Sequence, residues 1–390
     1  MKIPLSRPDI TGKEQKAVME VLKTPHLALG PKITEFENNF IRYVGTKYAV
    51  AVSSGTAGLH LLIRAMGIGE GDEVITTPFS FIATANCILF ERAKPVFVDI
   101  EPDTLNIDLD KIKVKIKTRS SKIKAILAVD VFGLPCDWSA LEKISRMHNL
   151  RLIEDSAEAL GAELEIPNSK PALPAGRSQK PSIRKAGSFG DAGIFGFYPN
   201  KQITTGEGGV ILTDNKNIAG LCRSMANQGR EIVNGNWLEH TMLGYNYRLS
   251  DINCALGIAQ LERIEEILEK RRKVARTYNA LLKGVPGIKV PYQRECFHRS
   301  WFVYVIQLAK EYKKKDRDRI LIEMKKRGIG CSNYFPVIHL QRFYRDEFGY
   351  KEGDFPIAEG VSNRTISLPF YNNLSPEDME YVVANLKTLL

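Results

Sequence analysis

At 390 residues, 44% hydrophobic and with 17 Phe and 14 Tyr, the chain can bury a large core and still carry a second, smaller unit. Met1 to Asp9 lacks a cationic start followed by an apolar run, and no later stretch is apolar enough to cross a bilayer, so a cytoplasmic protein with no membrane partner is expected. The net charge of +10, from 55 basic and 45 acidic residues, permits an anionic partner, but the basic runs Lys111–Lys124 and Lys313–Arg319 are interleaved with Ile, Val or Asp as solvated faces are.

In chain order, Tyr48–Val52, Glu73–Thr77, Pro95–Asp99, Lys124–Val129 and Leu150–Glu154 are short β-rich runs bounded by turn residues. Between them, Ala57–Met66, Phe81–Glu91, Leu109–Ile116 and Ser139–His148 carry apolar residues at helical spacing. This alternation predicts an α/β fold, a mainly parallel sheet flanked by helices, with ligands at the carboxyl ends of its strands. Glu163–Lys185 interrupts the rhythm with Pro167, Pro171, Pro174, Pro181 and five basic residues, and is predicted to be a long surface loop. Strands resume at Gly193–Phe197 and Gly209–Thr213. A long helical pattern follows over Ser250–Leu282, then strands near Trp301–Leu308 and Arg364–Ser367 and helices near Asp316–Arg327 and Pro376–Leu389. The expected division is a large domain over 1–249 and a connecting helix with a smaller α+β domain over 250–390. The cysteines at 87, 136, 222, 254, 296 and 331 are scattered, without His partners at ligand spacing, so no metal is expected.

Three segments could carry chemistry. Ser53-Ser54-Gly55-Thr56-Ala57 lies between a strand and a helix, where small residues let backbone N–H groups approach a phosphate; Ser54 or Thr56 as a plain helix cap explains it equally well. Asp155 ends a hydrophobic strand and can reach a central cleft, where it would keep a heterocyclic nitrogen protonated; capping of the next helix is the commoner use of such an Asp. Lys201 stands between a β-rich run and a glycine-rich turn, where a partly desolvated amine attacks aldehydes; read alone it is an ordinary surface lysine.

Taken together, these segments resemble the DegT/DnrJ/EryC1/StrS family of pyridoxal-phosphate (PLP)-dependent sugar aminotransferases, of fold type I. The most specific stretch is Lys201 followed by Thr204-Thr205-Gly206-Glu207-Gly208-Gly209. Gly67–Ile75, Pro95–Ile100, Gly244-Tyr245-Asn246-Tyr247-Arg248 and Ile366–Pro369 are also similar, so the likeness spans nearly the whole chain. It implies a large domain with a seven-stranded, mainly parallel sheet. It also implies that Lys201 holds PLP as a Schiff base and that Asp155 pairs with the pyridine nitrogen. Gly55, Thr56 and Ala57 would hold the phosphate, Phe81 would stack on the ring, and Glu158 would lie near the phenolic oxygen. Gly196 stands where relatives commonly carry a phosphate-binding Ser, and the loop over 163–185 is longer than usual, so the phosphate shell and the substrate entrance depart from the pattern.

The resemblance further implies a homodimer in which Asn246 and Arg248 complete the partner's phosphate site. It places His298, Trp301 and His339 on the substrate side. Glutamate is the implied amino donor and a nucleotide-linked keto-sugar the acceptor, with pyridoxamine phosphate formed during turnover. The context of Glu158, followed by Ala-Leu-Gly-Ala, favours amination at C4 of a 4-keto-6-deoxy sugar, and Lys170, Arg177, Lys180, Arg184 and Lys185 are candidates for contacting a diphosphate. A smaller branch of the family has His in place of the lysine and performs dehydration, which Lys201 argues against. A PLP transaminase of a cyclitol or 3-keto sugar and a non-catalytic regulatory homologue are the alternatives; the second lacks a helix-turn-helix or basic-aromatic stripe to support it.

Overall fold

The computed structural model of the chain describes residues 2–119, 121–166, 181–233 and 236–390. The strands in chain order are β1 (Tyr48–Val52), β2 (Glu73–Thr76), β3 (Lys94–Phe97), β4 (Ile123–Val129), β5 (Arg151–Asp155), β6 (Glu163–Ile166), β7 (Ser182–Lys185), β8 (Ala192–Gly196), β9 (Gly209–Thr213), β10 (Arg230–Val233), β11 (Asn236–His240), β12 (Ile288–Lys289), β13 (Phe297–His298), β14 (Tyr304–Leu308) and β15 (Thr365–Leu368). Seven of them form one sheet in the order β1-β9-β8-β5-β4-β2-β3. Only β9 runs against its neighbours. The Val, Ile, Leu and Ala runs of these strands are buried on both faces, as helices covering both sides of a parallel sheet require.

The register decides where function can sit. Val52 pairs with Gly209, Gly209 with Gly196, Asp155 with Ile194, and Val129 with Asp155. The carboxyl ends of β1, β8, β5 and β4 therefore lie side by side along one edge of the sheet, together with the start of β9. The segments after them, beginning at Ser53, Phe197, Ser156 and Asp130, emerge next to one another.

A second, three-stranded sheet, β12-β14-β15, is antiparallel. Its core includes Tyr278, Tyr304, Ile306, Met324, Ile366, Leu368 and Val382, all buried. Two features differ from expectation. The ends of the expected loop over 163–185 are strands: β6 and β7 pair antiparallel from Glu163↔Lys185 to Ile166↔Ser182, and β13 joins β6. Four prolines between them hid the alternation of Leu164, Ile166 and Ile183 in the sequence. The helical pattern of 250–282 is two helices, Asp251–Leu261 and Ile264–Leu282. Between them Arg263 turns to Glu14 at 2.7 Å and to Asp9 at 3.3 Å, tying in the N-terminal segment. The first helix packs with Phe36 and Phe40 against the large sheet, and the second carries Val274, Tyr278 and Leu282 into the core of the small one.

Candidate active site

Ser54 caps the helix Gly55–Ala65, accepting from the Ala57 N–H at 3.0 Å. The N–H groups of Gly55 and Thr56 then point out of the helix start, where the helix dipole favours an anion. Two neighbouring strands close around this start. A Cβ at Gly209 would lie 2.8 Å from the Ser54 carbonyl carbon and 2.9 Å from the Gly55 nitrogen, so β9 can pass only because residue 209 is glycine. Gly196, at the end of β8, faces Gly55 and Ala157, and a Cβ there would meet both at an ordinary 3.7 Å.

Asp155, at the end of β5, is buried. It accepts from Thr84 Oγ1 at 2.8 Å and from the Ala157 N–H at 3.2 Å. Thr84 has one hydroxyl proton and donates it to Asp155, so Ser80 Oγ, 3.0 Å away, is the donor to Thr84. Burial raises the Asp155 pKa, opposed by these bonds and by the Lys201 charge. Such a carboxylate would gain from a further cation. Phe81 precedes Thr84 by one turn, its carbonyl accepting from the Thr84 N–H at 3.2 Å, and its side chain is 62% exposed.

Lys201 follows β8 in a loop that bonds largely to itself. Thr204 Oγ1 donates to the Phe197 carbonyl at 2.9 Å and accepts from the Gly206 N–H at 2.9 Å, while Thr205 Oγ1 donates to the Glu207 carbonyl at 2.7 Å. Much of the distinctive threonine-glycine run is thus scaffold that returns the chain into β9. The Lys201 Nζ lies 3.7 Å from Glu158 Oε1 and 4.0 Å from the centre of the Phe302 ring. Burial lowers the Lys201 pKa against the opposing pull of Glu158 and Asp155, and burial raises that of Glu158 against the pull of Lys201. Glu158 also accepts from the Phe132 N–H at 2.9 Å. A buried amine and two buried carboxyl groups therefore share one cleft, and burial disfavours the charged form of each.

The structure brings Gly55, Thr56, Ala57, Asp155, Glu158, Gly196 and Lys201 to this edge of the sheet, with Phe81 beside them. The Gly244–Arg248 segment is pinned to the end of β1 by the Ser53 N–H, which donates to the Tyr247 carbonyl at 2.7 Å. Asn246 is exposed, and the Arg248 side chain donates to Asn227 at 3.1 Å rather than to the Lys201 cluster. His298 is not in the cluster: it pairs with Glu165 at 2.7 Å and lines a separate cavity of about 630 Å³ with Glu163, Arg272 and Arg294. His339 is fully buried, bonded to Glu359 at 3.0 Å and edge-on to Phe355. Trp301 stacks on Tyr304 in the core of the small sheet. Arg184 pairs with Glu142, and Lys185 sits over the Tyr43 ring; Lys170, Arg177 and Lys180 lie outside the described residues. Thr84, Ser80, Phe132 and Phe302 are contacts that motif reading misses, although Thr84 stands one helical turn from Phe81.

These features fit PLP. The helix start suits its phosphate, the Asp155 carboxylate its protonated ring nitrogen, and the Lys201 amine its aldehyde. Fold and site together define a PLP-dependent aminotransferase. The chain belongs to the DegT/DnrJ/EryC1/StrS aminotransferase family, whose model matches residues 8–387. It is 35% identical to the spore coat polysaccharide biosynthesis protein SpsC of Bacillus subtilis, over 100% of this chain and 97% of that one. It is 34% identical to the GDP-perosamine synthase of Caulobacter vibrioides, over 100% and 98% of the two chains. The PLP-form structure of Spr1654 from Streptococcus pneumoniae superposes with a TM-score of 0.89 at 26% identity, covering 100% of this chain and 98% of the other. Among the described residues no helix is long and apolar enough to cross a membrane.

Proposed function

We propose that the enzyme moves an amino group from glutamate to a nucleotide-linked keto-sugar, with a 4-keto-6-deoxy sugar favoured, and so makes an aminosugar in the cytoplasm. The observation that carries the chemistry is the Lys201 amine, 3.7 Å from Glu158 in the cleft that also holds Asp155. The acceptor class is supported by the similarity to a synthase of a GDP-linked aminosugar and to a polysaccharide biosynthesis protein. When bound, PLP supplies an electron sink for the carbon that bears the nitrogen.

The chain's own residues do the rest. The first-turn N–H groups of Gly55 and Thr56, with Ala57 and Gly196 alongside, hold the phosphate. Phe81 covers one face of the ring. Asp155, steadied by Thr84, keeps the ring nitrogen protonated. Glu158 holds a proton at the phenolic oxygen, because burial makes its neutral form accessible. Lys201, its amine favoured neutral by burial, takes a proton from the donor's α-carbon and, in the second half, delivers one to the sugar carbon that receives nitrogen. Two copies pair so that Asn246 and Arg248 of one reach the phosphate of the other; the exposure of Asn246 and of Phe81 supports this. We divide the chain into 1–249 and 250–390, since the small sheet draws all its strands from the second part. His298, His339 and Trp301 have structural partners of their own and are not given substrate roles.

The test is a screen of nucleotide-linked 3-keto and 4-keto sugars with glutamate, followed by product mass. Conversion of a 4-keto substrate to its amino form is expected. Turnover of a free cyclitol or small keto acid, with none of any nucleotide sugar, would overturn the proposal.

A further inference from the structure

We propose that Arg271 is a positioning residue for Lys201: it clamps the Lys201 main chain to the Trp301–Phe302 segment and so holds the lysine amine between the Phe302 ring and Glu158. The helix Ile264–Leu282 buries Ile267, Leu268, Val274, Ala275 and Tyr278 along one stripe, and Arg271 lies in that stripe at helical spacing. A charged residue there is costly unless the charge is used. Only 3% of Arg271 is exposed, and no carboxylate is within ion-pair distance of it among the described residues. Its guanidinium instead donates to three main-chain carbonyls: Lys201 at 2.9 Å, Phe302 at 3.1 Å and Trp301 at 3.4 Å.

These bonds join the loop after β8 to the segment entering β14. The same junction is also secured by Gln202, which donates to Ser300 Oγ at 3.0 Å and to the Glu158 carbonyl at 2.6 Å. Phe302 is thereby fixed with its ring 4.0 Å from the Lys201 Nζ. The ring face attracts the ammonium form, and so does Glu158 at 3.7 Å. A planar, five-donor fork can hold three carbonyls at once, whereas a lysine ammonium on a shorter reach cannot span them.

The inference rests on the proposed role of Lys201 as the proton-transferring base, and the experiment separates the two. In Arg271→Lys, kcat with glutamate falls roughly 10²-fold, the cost of a base misplaced by about 1 Å, while the glutamate KM stays within about threefold. In a Lys201→Ala background, where added methylamine replaces the lysine amine, Arg271→Lys leaves the rescued rate within about twofold, because there is no lysine left to position. An equal fall in both backgrounds, or no fall with Lys201 present, overturns the inference. Wild-type turnover by Lys201→Ala without methylamine overturns the role of Lys201 itself. Phe302→Leu, which keeps the carbonyl that Arg271 holds, provides a second reading on a mildly altered protein. The pH dependence with which the apo-protein's Lys201 reacts with PLP, trapped by borohydride, moves about half a unit or more to lower pH when the ring is lost. An unchanged profile contradicts the placement of the amine over Phe302.

Discussion

Thr84→Val tests how Asp155 is held. The substitution keeps volume and β-branching but removes the hydroxyl that donates to Asp155 Oδ2 at 2.8 Å. The remaining bond, from the Ala157 N–H, is 3.2 Å long, so the stronger of the two contacts is lost. A hydrogen bond to a charged acceptor in a buried site contributes about 1.5–3 kcal/mol, and 1.4 kcal/mol is about tenfold in an equilibrium or a rate. Asp155 then prefers its neutral form still more, on top of the rise that burial already causes, and serves a protonated ring nitrogen less well. We expect PLP affinity and kcat/KM for glutamate each to fall at least about tenfold. Ser80→Ala, which removes the donor behind Thr84 rather than the contact itself, should cost less than Thr84→Val. Absorbance titration of the apo-protein with PLP, beside steady-state kinetics with glutamate, provides both numbers. If Thr84→Val binds PLP and turns over as the unaltered protein does, Asp155 is not held through Thr84 and the account of this side of the site fails.

Gly196→Ser should fit, since a Cβ there meets Ala157 and Gly55 at 3.7 Å, and its hydroxyl would lie at the helix start; slower PLP loss on dialysis is expected, and faster loss would contradict that geometry. Gly209→Ala places a methyl 2.8 Å from the Ser54 carbonyl carbon and should lower stability by about 1–3 kcal/mol and loosen PLP, read by denaturant melts with and without cofactor; unchanged melts would contradict the packing of β9 on the helix start. Beneath the site, Ser156 Oγ lies 2.6 Å from both Asp130 and Glu154, yet has one proton, so one of the two carboxyl groups must be protonated. Burial pushes Asp130 up to about 6, and burial together with the Asp130 charge holds Glu154 well above the usual range. Folded-state values above the unfolded ones mean stability is full below about pH 4 for this pair and declines as pH rises through about 6. Melting temperatures between pH 4 and 8 should show that decline, and Asp130→Asn should flatten it; the same slope in both proteins would refute the shared proton.

The large sheet was legible because parallel strands buried on both faces read as unbroken apolar runs, and Asp155 at the end of one stands out by contrast. The pairing of β6 with β7 was not, because its two short strands are separated by a proline-rich stretch that dominates the pattern. The family resemblance implies substrate-side positions for His298, Trp301 and His339. The same aromatic and imidazole groups serve in packing, and Trp301 on Tyr304 and His339 against Phe355 show that use. Thr84, a hydroxyl in the apolar helix Ala83–Phe90, and Ser80, in the bend before it, give no signal in the sequence until the strand that ends at Asp155 is placed opposite them. Arg271 did leave a trace: a charge at a stripe position of an otherwise apolar helix face.

The central claim is that Lys201 moves the proton as nitrogen passes from glutamate to a sugar nucleotide. Incubation with ¹⁵N-glutamate and a nucleotide-linked 4-keto sugar, followed by mass spectrometry of the sugar product, tests it most directly. The unaltered enzyme should yield an aminosugar nucleotide carrying the label, and Lys201→Ala should yield none above background. Labelled product formed by Lys201→Ala at the unaltered rate would contradict the claim.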